Sequence, residues 1–195
     1  LPPRELRAGW AEVIKHGVIR DADLFARLET HAHELSNAHA MGHADATFQQ
    51  VLGDVIRQAA AVKVAVVSED EREKGLRVIL NYGHTLGHAL ETALGYDALL
   101  HGEAVAIGMH HAARIAALAG LLAEEDMQRQ QRLLEAYGLP TTFPPGADLE
   151  RVLALTFHDK KVQQKRIRWV LPTGIGSVSV CDDISEAVVR ESVGL

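Results

Sequence analysis

The alternation of apolar and polar residues along the chain predicts mainly helices. Apolar residues recur at helical spacing over residues 3–32, with a break expected at Gly17, and again over residues 47–67. The segment 77–96 begins apolar and continues as a helix, and the Ala- and Gly-rich segment 104–120 predicts a buried central helix. The pattern therefore favours a mainly α fold.

The rest of the chain predicts loops, one more long helix and a small hairpin. Residues 31–46 are small, polar and irregular, which is typical of a loop, and helical spacing returns over residues 124–137. Strand-forming residues occur only in RIRWVLP and SVSVC, on either side of TGIG, which predicts a C-terminal β-hairpin. A short final helix is expected from Ser185.

Length and composition indicate one soluble globular domain over residues 1–195. Apolar residues make up 47% of the chain and charged residues 24%. The net charge of −6 argues against non-specific nucleic-acid binding. No apolar run approaches the roughly 20 residues that span a bilayer. The single cysteine, Cys181, fits a reducing cytoplasm.

The first residues suggest that the chain begins inside a longer protein. Position 1 is not Met, and Leu1 is followed by two prolines, as in a linker that enters a helix. No GxGxxG motif or comparable Gly-rich turn occurs, so we expect no dinucleotide-binding unit in these residues.

Histidines supply the first candidate chemistry. The chain has 11 of them, and His84 and His88 are four residues apart, so on a helix both would project from one face and could bind one ion. Such pairs also occur as ordinary surface or core residues. The histidines of the loop-like stretch are expected to be solvated: His31, His33, His39 and His43.

Two further segments support a site. His101 precedes Gly102 and Glu103 at the start of an apolar helix, where exposed N–H groups and the helix dipole favour anionic or metal-bound groups. Glu12 and Lys15 are three residues apart in another apolar helix and would be costly to bury unpaired. They indicate either a site or an internal ion pair.

Cations near these segments suggest an anionic ligand. They occur, with Asn81 close by, at Lys63, Arg77, Lys160 and Lys161. In a protein of net negative charge this grouping fits recognition of a small, multiply anionic substrate. The alternative for each is an ordinary surface charge, and it is weakest for Lys63, whose neighbours are almost all apolar.

Five sequence blocks together resemble the C-terminal domain of 3-dehydroquinate synthases. In chain order they are AEVIKHG, DEREKGLRVILNYGHTLGHALE, LHGEAVAIGM, DKKV and RWVLPTGIG. The resemblance runs from end to end of the chain, and the joint occurrence of the blocks is specific although each alone is not. It implies a multi-helix C-terminal domain with a small hairpin, without the N-terminal Rossmann-like domain that holds NAD.

The resemblance also implies a role for each candidate residue. Glu12, His84 and His101 would bind the metal, usually Zn²⁺ with Co²⁺ as a substitute, while His88 becomes a catalytic residue that contacts substrate. Lys15 and Glu73 match active-site positions, Glu73 as a proton acceptor. The substrate's carboxylate and phosphate would be bound by the remaining group: Lys63, Arg77, Asn81 and one of Lys160 or Lys161.

The implied reaction belongs to the shikimate pathway. An NAD- and metal-dependent carbon–oxygen lyase would convert the sugar-acid phosphate 3-deoxy-D-arabino-heptulosonate 7-phosphate into 3-dehydroquinate and phosphate, with the full-length enzyme a cytoplasmic homodimer. The hydride acceptor belongs to the missing domain. We therefore predict that this chain alone is inactive.

Three other functions are weighed against this one. Another sugar-phosphate cyclase, making an inosose or a valiolone, would share the metal ligands. The dipeptide His158-Asp159 could belong to an HD-type metal-dependent phosphohydrolase, but there it should lie within a helix, whereas here it leads toward a strand. A non-catalytic helical interaction module is the third, and it would bind no metal.

Overall fold

A computed structural model describes residues 1–37, 46–70, 75–95, 97–161 and 167–195, without the side chains of residues 158–161. Its helices are α1 (Pro3–Arg20), α2 (Ala22–Thr30), α3 (Ala32–Ser36), α4 (Ala46–Glu69), a 3₁₀ helix (Leu76–Asn81), α5 (His84–Leu94), α6 (His101–Leu118), α7 (Glu124–Ala136), α8 (Leu149–Lys161) and α9 (Glu186–Val193). Two strands, β1 (Trp169–Gly174) and β2 (Ser177–Cys181), complete it. Within these ranges, every helix is too short or too polar to cross a bilayer.

The mainly helical fold and the C-terminal hairpin are both confirmed. Strands β1 and β2 pair antiparallel, with Trp169 opposite Cys181, and Gly176 takes a φ of +86° in the turn that joins them. Trp169, Val170 and Leu171 are buried, so β1 is the strand that faces the core. The short apolar run of the sequence therefore corresponds to a strand packed on helices.

The expected break at Gly17 is wrong, because α1 continues through it to Arg20. The break comes at Asp21, whose carboxylate accepts a hydrogen bond from the Leu24 N–H and starts α2. Gly17 instead allows close packing, since a Cβ there would lie 3.1 Å from the backbone nitrogen of Phe25. Its conformation is ordinary helix, and its small size is what the fold uses.

The loop expected over residues 31–46 is wrong for its first part, which forms the short helix α3. Burial of Leu35 against the core accounts for this turn of helix. His33 is exposed, as expected, and the half-buried His31 ring lies 3.2 Å from the Glu34 carboxylate. His39 and His43 lie outside the described residues.

The position expected for His158-Asp159 is also wrong, because both residues lie within α8. The Asp148 carboxylate caps this helix at the Arg151 N–H, and buried Val152 and Leu153 anchor it. The place of this dipeptide therefore does not exclude an HD-type phosphohydrolase.

Helix α6 lies at the centre of the fold and is buried along most of its length. Two glycines let its backbone approach its neighbours closely. A Cβ on Gly102 would overlap the carbonyl oxygen of Ala8 in α1, and one on Gly108 would overlap the carbonyl oxygen of Gly83, just before α5. These contacts bring the first turn of α6 against α1 and the start of α5 against α6, so that the candidate residues of the three helices lie near one another.

Candidate active site

Three helices contribute the candidate metal ligands. Glu12 comes from the middle of α1, His84 and His88 from the first turns of α5, and His101 from the first residue of α6. Gly83 takes a φ of +78°, a left-handed conformation that turns the chain from the 3₁₀ helix into α5. The sharp turn places His84 at the helix start, beside α1.

The three histidines form a cluster that can hold a metal ion. Each of His84, His88 and His101 offers one ring nitrogen, and these nitrogens lie within 4.8 Å of one another. The ring centroid of His84 is 5.2 Å from that of His88 and 5.2 Å from that of His101. The segments 84–88 and 101, separated in sequence, thus meet in one place.

Glu12 places a carboxylate oxygen beside one member of this cluster, His84. Its Oε1 lies 3.7 Å from His84 Nε2, close to the separation of about 3.3 Å expected for two ligands of a tetrahedral zinc ion. This Oε1 is buried and has no hydrogen-bond partner in the described part of the chain. A buried carboxylate oxygen without a donor is costly, and a cation at this point would satisfy it. The residues present therefore fit a metal ion.

Hydrogen bonds orient two of the three histidines. His84 Nδ1 lies 3.0 Å from the Tyr82 carbonyl oxygen, which can only accept, so Nδ1 is the donor. His101 Nδ1 likewise donates to the Glu91 carboxylate at 3.0 Å. In both rings Nε2 then keeps its lone pair for a metal. The exposed His88 ring has no such hydrogen bond within the described ranges.

The protonation states also suit metal binding. Burial acts to raise the pKa of Glu12, but the charge and hydrogen bond of Lys15 outweigh it, so the pKa lies below its usual value. Burial is the main cause that lowers the pKa of His84 and of Lys15, and it lowers the pKa of His16 to about 4. Glu12 is therefore anionic and His84 neutral near pH 7, as metal ligands must be.

Lys15 forms the internal ion pair that was one interpretation of its sequence position, and it lies at the candidate site that was the other. It is 3% exposed, and its Nζ donates to Glu12 Oε2 at 2.7 Å, so the internal ion pair exists. The same pair lies beside the histidine cluster and lines a cavity. Because Oε2 is held by Lys15, Oε1 is the oxygen that faces His84.

A cationic cavity of about 410 Å³ adjoins the cluster. Its polar lining combines predicted and unpredicted residues: Glu12, Lys15, His16, Lys63, Arg77, Asn81, His84 and Arg168. A second cavity, of about 770 Å³, shares Asn81, His84 and Arg168 with the first and is also lined by His88. The histidine cluster thus borders two adjoining spaces, one of which is rich in positive charge.

Three predicted residues cannot be placed at this site. Glu73 lies outside the described residues, and Lys160 and Lys161 end α8 with side chains that are not described. Their assigned roles remain predictions from the family resemblance.

Three residues of the site were not predicted. Glu91 lies seven residues after His84 and three after His88, so helical spacing alone could have placed it on the same face. His16 and Arg168 line the cationic cavity. Nothing in the local sequence indicates Arg168, because only the packing of the hairpin beside the 3₁₀ helix brings it there. Glu103, expected near the site, instead bonds Arg4 and caps the Leu100 N–H.

Comparison with known proteins identifies a consistent set of relatives. A sequence model described as 3-dehydroquinate synthase C-terminal matches residues 9–162. A 3-dehydroquinate synthase from Synechocystis is 47% identical over 194 residues, which cover 100% of this chain and 52% of that protein. One from Thermosynechococcus vestitus is 49% identical over 99% of this chain and 50% of that protein. The chain thus spans about half the length of the curated relatives it matches.

Solved structures of sugar-phosphate cyclases share the fold. A 2-epi-5-epi-valiolone synthase from Streptomyces hygroscopicus, with NAD⁺ and Zn²⁺ bound, matches with a TM-score of 0.85 at 27% identity, over 99% of this chain and 51% of that chain. A 2-deoxy-scyllo-inosose synthase complexed with carbaglucose-6-phosphate, NAD⁺ and Co²⁺ matches with a TM-score of 0.78 at 28% identity, over 98% and 51%.

Proposed function

Because this chain belongs to the 3-dehydroquinate synthase C-terminal family, we propose that it forms the metal- and substrate-binding half of a 3-dehydroquinate synthase. The observation that carries the proposal is Glu12 Oε1, which has no hydrogen-bond partner among the described residues and lies buried next to His84 at the edge of a cavity lined by cations. A carboxylate and two oriented imidazoles leave positions open for substrate oxygens, as a catalytic zinc site requires.

The metal ligands in this proposal are Glu12, His84 and His101, with Zn²⁺ or Co²⁺ as the ion. Their support is the fixed orientation of both rings, which leaves each Nε2 lone pair available. His88 lies within reach of the same ion but is exposed and borders the second cavity. It is the ring best placed to exchange a proton with a bound substrate.

The substrate in this proposal is 3-deoxy-D-arabino-heptulosonate 7-phosphate. Lys63, Arg77 and Asn81 line the cationic cavity together with Arg168. Guanidinium and ammonium groups suit a ligand that carries both a carboxylate and a phosphate. Lys160 or Lys161 would add a further cation, and Glu73 a proton acceptor, by family resemblance.

The chain's own residues bind and orient the substrate and move protons. When bound, the metal supplies Lewis-acid polarisation of the substrate's oxygens, and NAD supplies reversible hydride chemistry. Lys15 holds Glu12 in place and contributes positive charge to the cavity. His88 accepts and returns protons at its free ring nitrogens while the cationic side chains fix the substrate's two anionic ends.

The remaining half of the enzyme is an N-terminal domain that holds NAD, and we infer that the whole protein is a cytoplasmic homodimer. Half-length coverage of the curated relatives supports a second domain of similar size. Another sugar-phosphate cyclase is the second candidate, since both solved neighbours are of that kind. Their 27–28% identity is well below the 47–49% shared with the 3-dehydroquinate synthases.

Substrate profiling of the full-length enzyme that carries this chain tests the proposal. Phosphate release is measured with NAD and Zn²⁺ from the seven-carbon sugar-acid phosphate, and in parallel from a sugar phosphate that lacks the acid group. We expect turnover of the sugar-acid phosphate and not of the other substrate, with 3-dehydroquinate as the product. Turnover of the sugar phosphate that lacks the carboxylate would establish another cyclase, and no NAD-dependent release from either substrate would refute the proposal.

A further inference from the structure

Glu91 is a buried carboxylate for which the proposed reaction provides no role. It lies on α5 and is 8% exposed, and its Oε1 accepts a hydrogen bond from His101 Nδ1 at 3.0 Å. Burial of a charged carboxylate is costly unless the group is paired. Its partner here is a residue that would itself bind the metal.

His101 needs an external contact to fix its ring. It is the first residue of α6, and its side chain is 50% exposed, whereas that of His84 is 15% exposed. The backbone carbonyl of Tyr82 fixes His84 from within its own segment. The ring of His101 is fixed from another helix, by the side chain of Glu91.

The hydrogen bond to Glu91 has two consequences for His101. It places the proton on Nδ1, so that Nε2 carries the lone pair, and it sets the ring's rotation toward the cluster with His84. A carboxylate on the distal nitrogen is the usual device that holds a metal-binding imidazole in place. Helical spacing places Glu91 on the same face of α5 as His84 and His88. One helix therefore supplies two rings of the cluster and the carboxylate that orients the third ring, that of His101.

We propose that Glu91 is a positioning residue of the metal centre, which acts through His101. The inference rests on the proposed function, because it takes His101 to be a ligand. It adds a residue from outside the predicted ligand and substrate set and explains why a carboxylate is buried at this point of α5.

The test is Co²⁺ titration of metal-free full-length enzyme, followed by the visible absorption of the bound ion, together with thermal unfolding of the metal-free protein. Glu91→Ala is expected to weaken Co²⁺ binding by about 10- to 100-fold. Glu91→Gln keeps an oxygen that can accept from Nδ1 and should fall between the wild type and Glu91→Ala. Unfolding temperatures of the metal-free variants should change little relative to this loss.

Glu103→Gln is the matched control, since Glu103 lies two residues after His101 and supports the same helix end through Arg4 and the Leu100 N–H. It should leave Co²⁺ affinity near the wild-type value. Native affinity in Glu91→Ala, or an equal loss in Glu103→Gln, would overturn the inference. His101→Ala separates the two proposals. If this variant binds Co²⁺ normally, the assignment of His101 as a ligand fails. If His101→Ala loses affinity while the Glu91 variants bind Co²⁺ normally, the positioning role of Glu91 fails.

Discussion

His84 and His88 lie one turn apart on α5, yet their surroundings differ. His84 is largely buried and hydrogen-bonded to the Tyr82 carbonyl, whereas His88 is exposed beside the larger cavity. Sequence spacing alone treats the two residues as equivalent. The proposed separation into a ligand and a proton carrier rests on burial and on the approach of Glu12 to His84, which no local pattern contains.

His88→Ala tests this division in the full-length enzyme. Metal content should stay nearly intact, while kcat should fall by roughly 100-fold or more, the usual loss when a positioned acid–base group is removed. Metal analysis and phosphate-release kinetics measure the two quantities. A variant that no longer holds its metal would show that His88 is a ligand.

The pH dependence of stability depends in part on His111, which is buried on α6 away from the first turn that carries His101. Its Nδ1 donates to the Ser192 carbonyl of α9 at 2.8 Å, and burial lowers its pKa to about 3. The unfolded chain has the ordinary pKa of about 6.5. Between these values the unfolded state binds more protons, so the free energy of unfolding falls as the pH falls below about 6.5.

His111→Asn keeps a donor for Ser192 and removes the titrating ring. Urea unfolding between pH 7 and pH 4 should show a shallower loss of stability for this variant than for the wild type, by up to about 1.4 kcal/mol per pH unit. His33→Asn, the same substitution at an exposed position, is the matched control measured in parallel. Parallel slopes for His111→Asn and wild type would contradict the assignment. The neighbouring His110, whose pKa burial lowers to about 4, accounts for part of the remaining slope.

At the scale of elements, helical periodicity predicted most of the helices, including α4 and α7, and β propensity predicted the hairpin. The errors occurred where packing overrides local preference. Helix α1 continues through Gly17, whose missing side chain leaves room for Phe25. Helix α3 forms because Leu35 is buried against the core. Such contacts between distant segments are absent from the local pattern.

Gly102 is critical for the close packing of α6 against α1, since an added Cβ would overlap the Ala8 carbonyl oxygen. Gly102→Ala should separate the start of α6 from α1, lower the free energy of unfolding by about 1–3 kcal/mol, and weaken metal binding by displacing His101. Denaturant unfolding and Co²⁺ titration measure both effects.

Gly9→Ala is the control, because Gly9 is exposed on α1 and an added Cβ there would meet no atom of the described residues within 4 Å. It should stabilise the protein by up to about 1 kcal/mol through helix propensity. Equal behaviour of the two alanine variants would show that the close approach of α1 and α6 does not matter to the site.

At the scale of the whole molecule, this chain carries candidate metal and substrate groups but spans only half of its curated relatives. The family and the fold could be predicted from the five sequence blocks. The structure places Glu12 and His101 each beside His84, and their shared role as metal ligands stays a prediction. The places of His16 and Arg168 at the cationic cavity could not be predicted, because they depend on how the helices and the hairpin pack, whereas helical spacing could have placed Glu91 on the face of His84 and His88.

The chain alone should therefore fold cooperatively without catalysing the reaction, since the hydride acceptor has no binding domain in these residues. Phosphate release is measured with the sugar-acid phosphate, NAD and Zn²⁺, for the chain alone and for the chain mixed with a separately expressed N-terminal half. Activity is expected only in the mixture. Turnover by the chain alone would show that the division into two domains is misassigned.

We propose a single metal ion held by Glu12, His84 and His101, and the decisive measurement is a crystal structure of the Zn²⁺-loaded protein with anomalous scattering at the zinc edge. We predict one anomalous peak per chain, about 2.0–2.2 Å from one Glu12 oxygen and from Nε2 of both histidines. No peak at the cluster, or a peak bound by His88 in place of Glu12, would contradict the account.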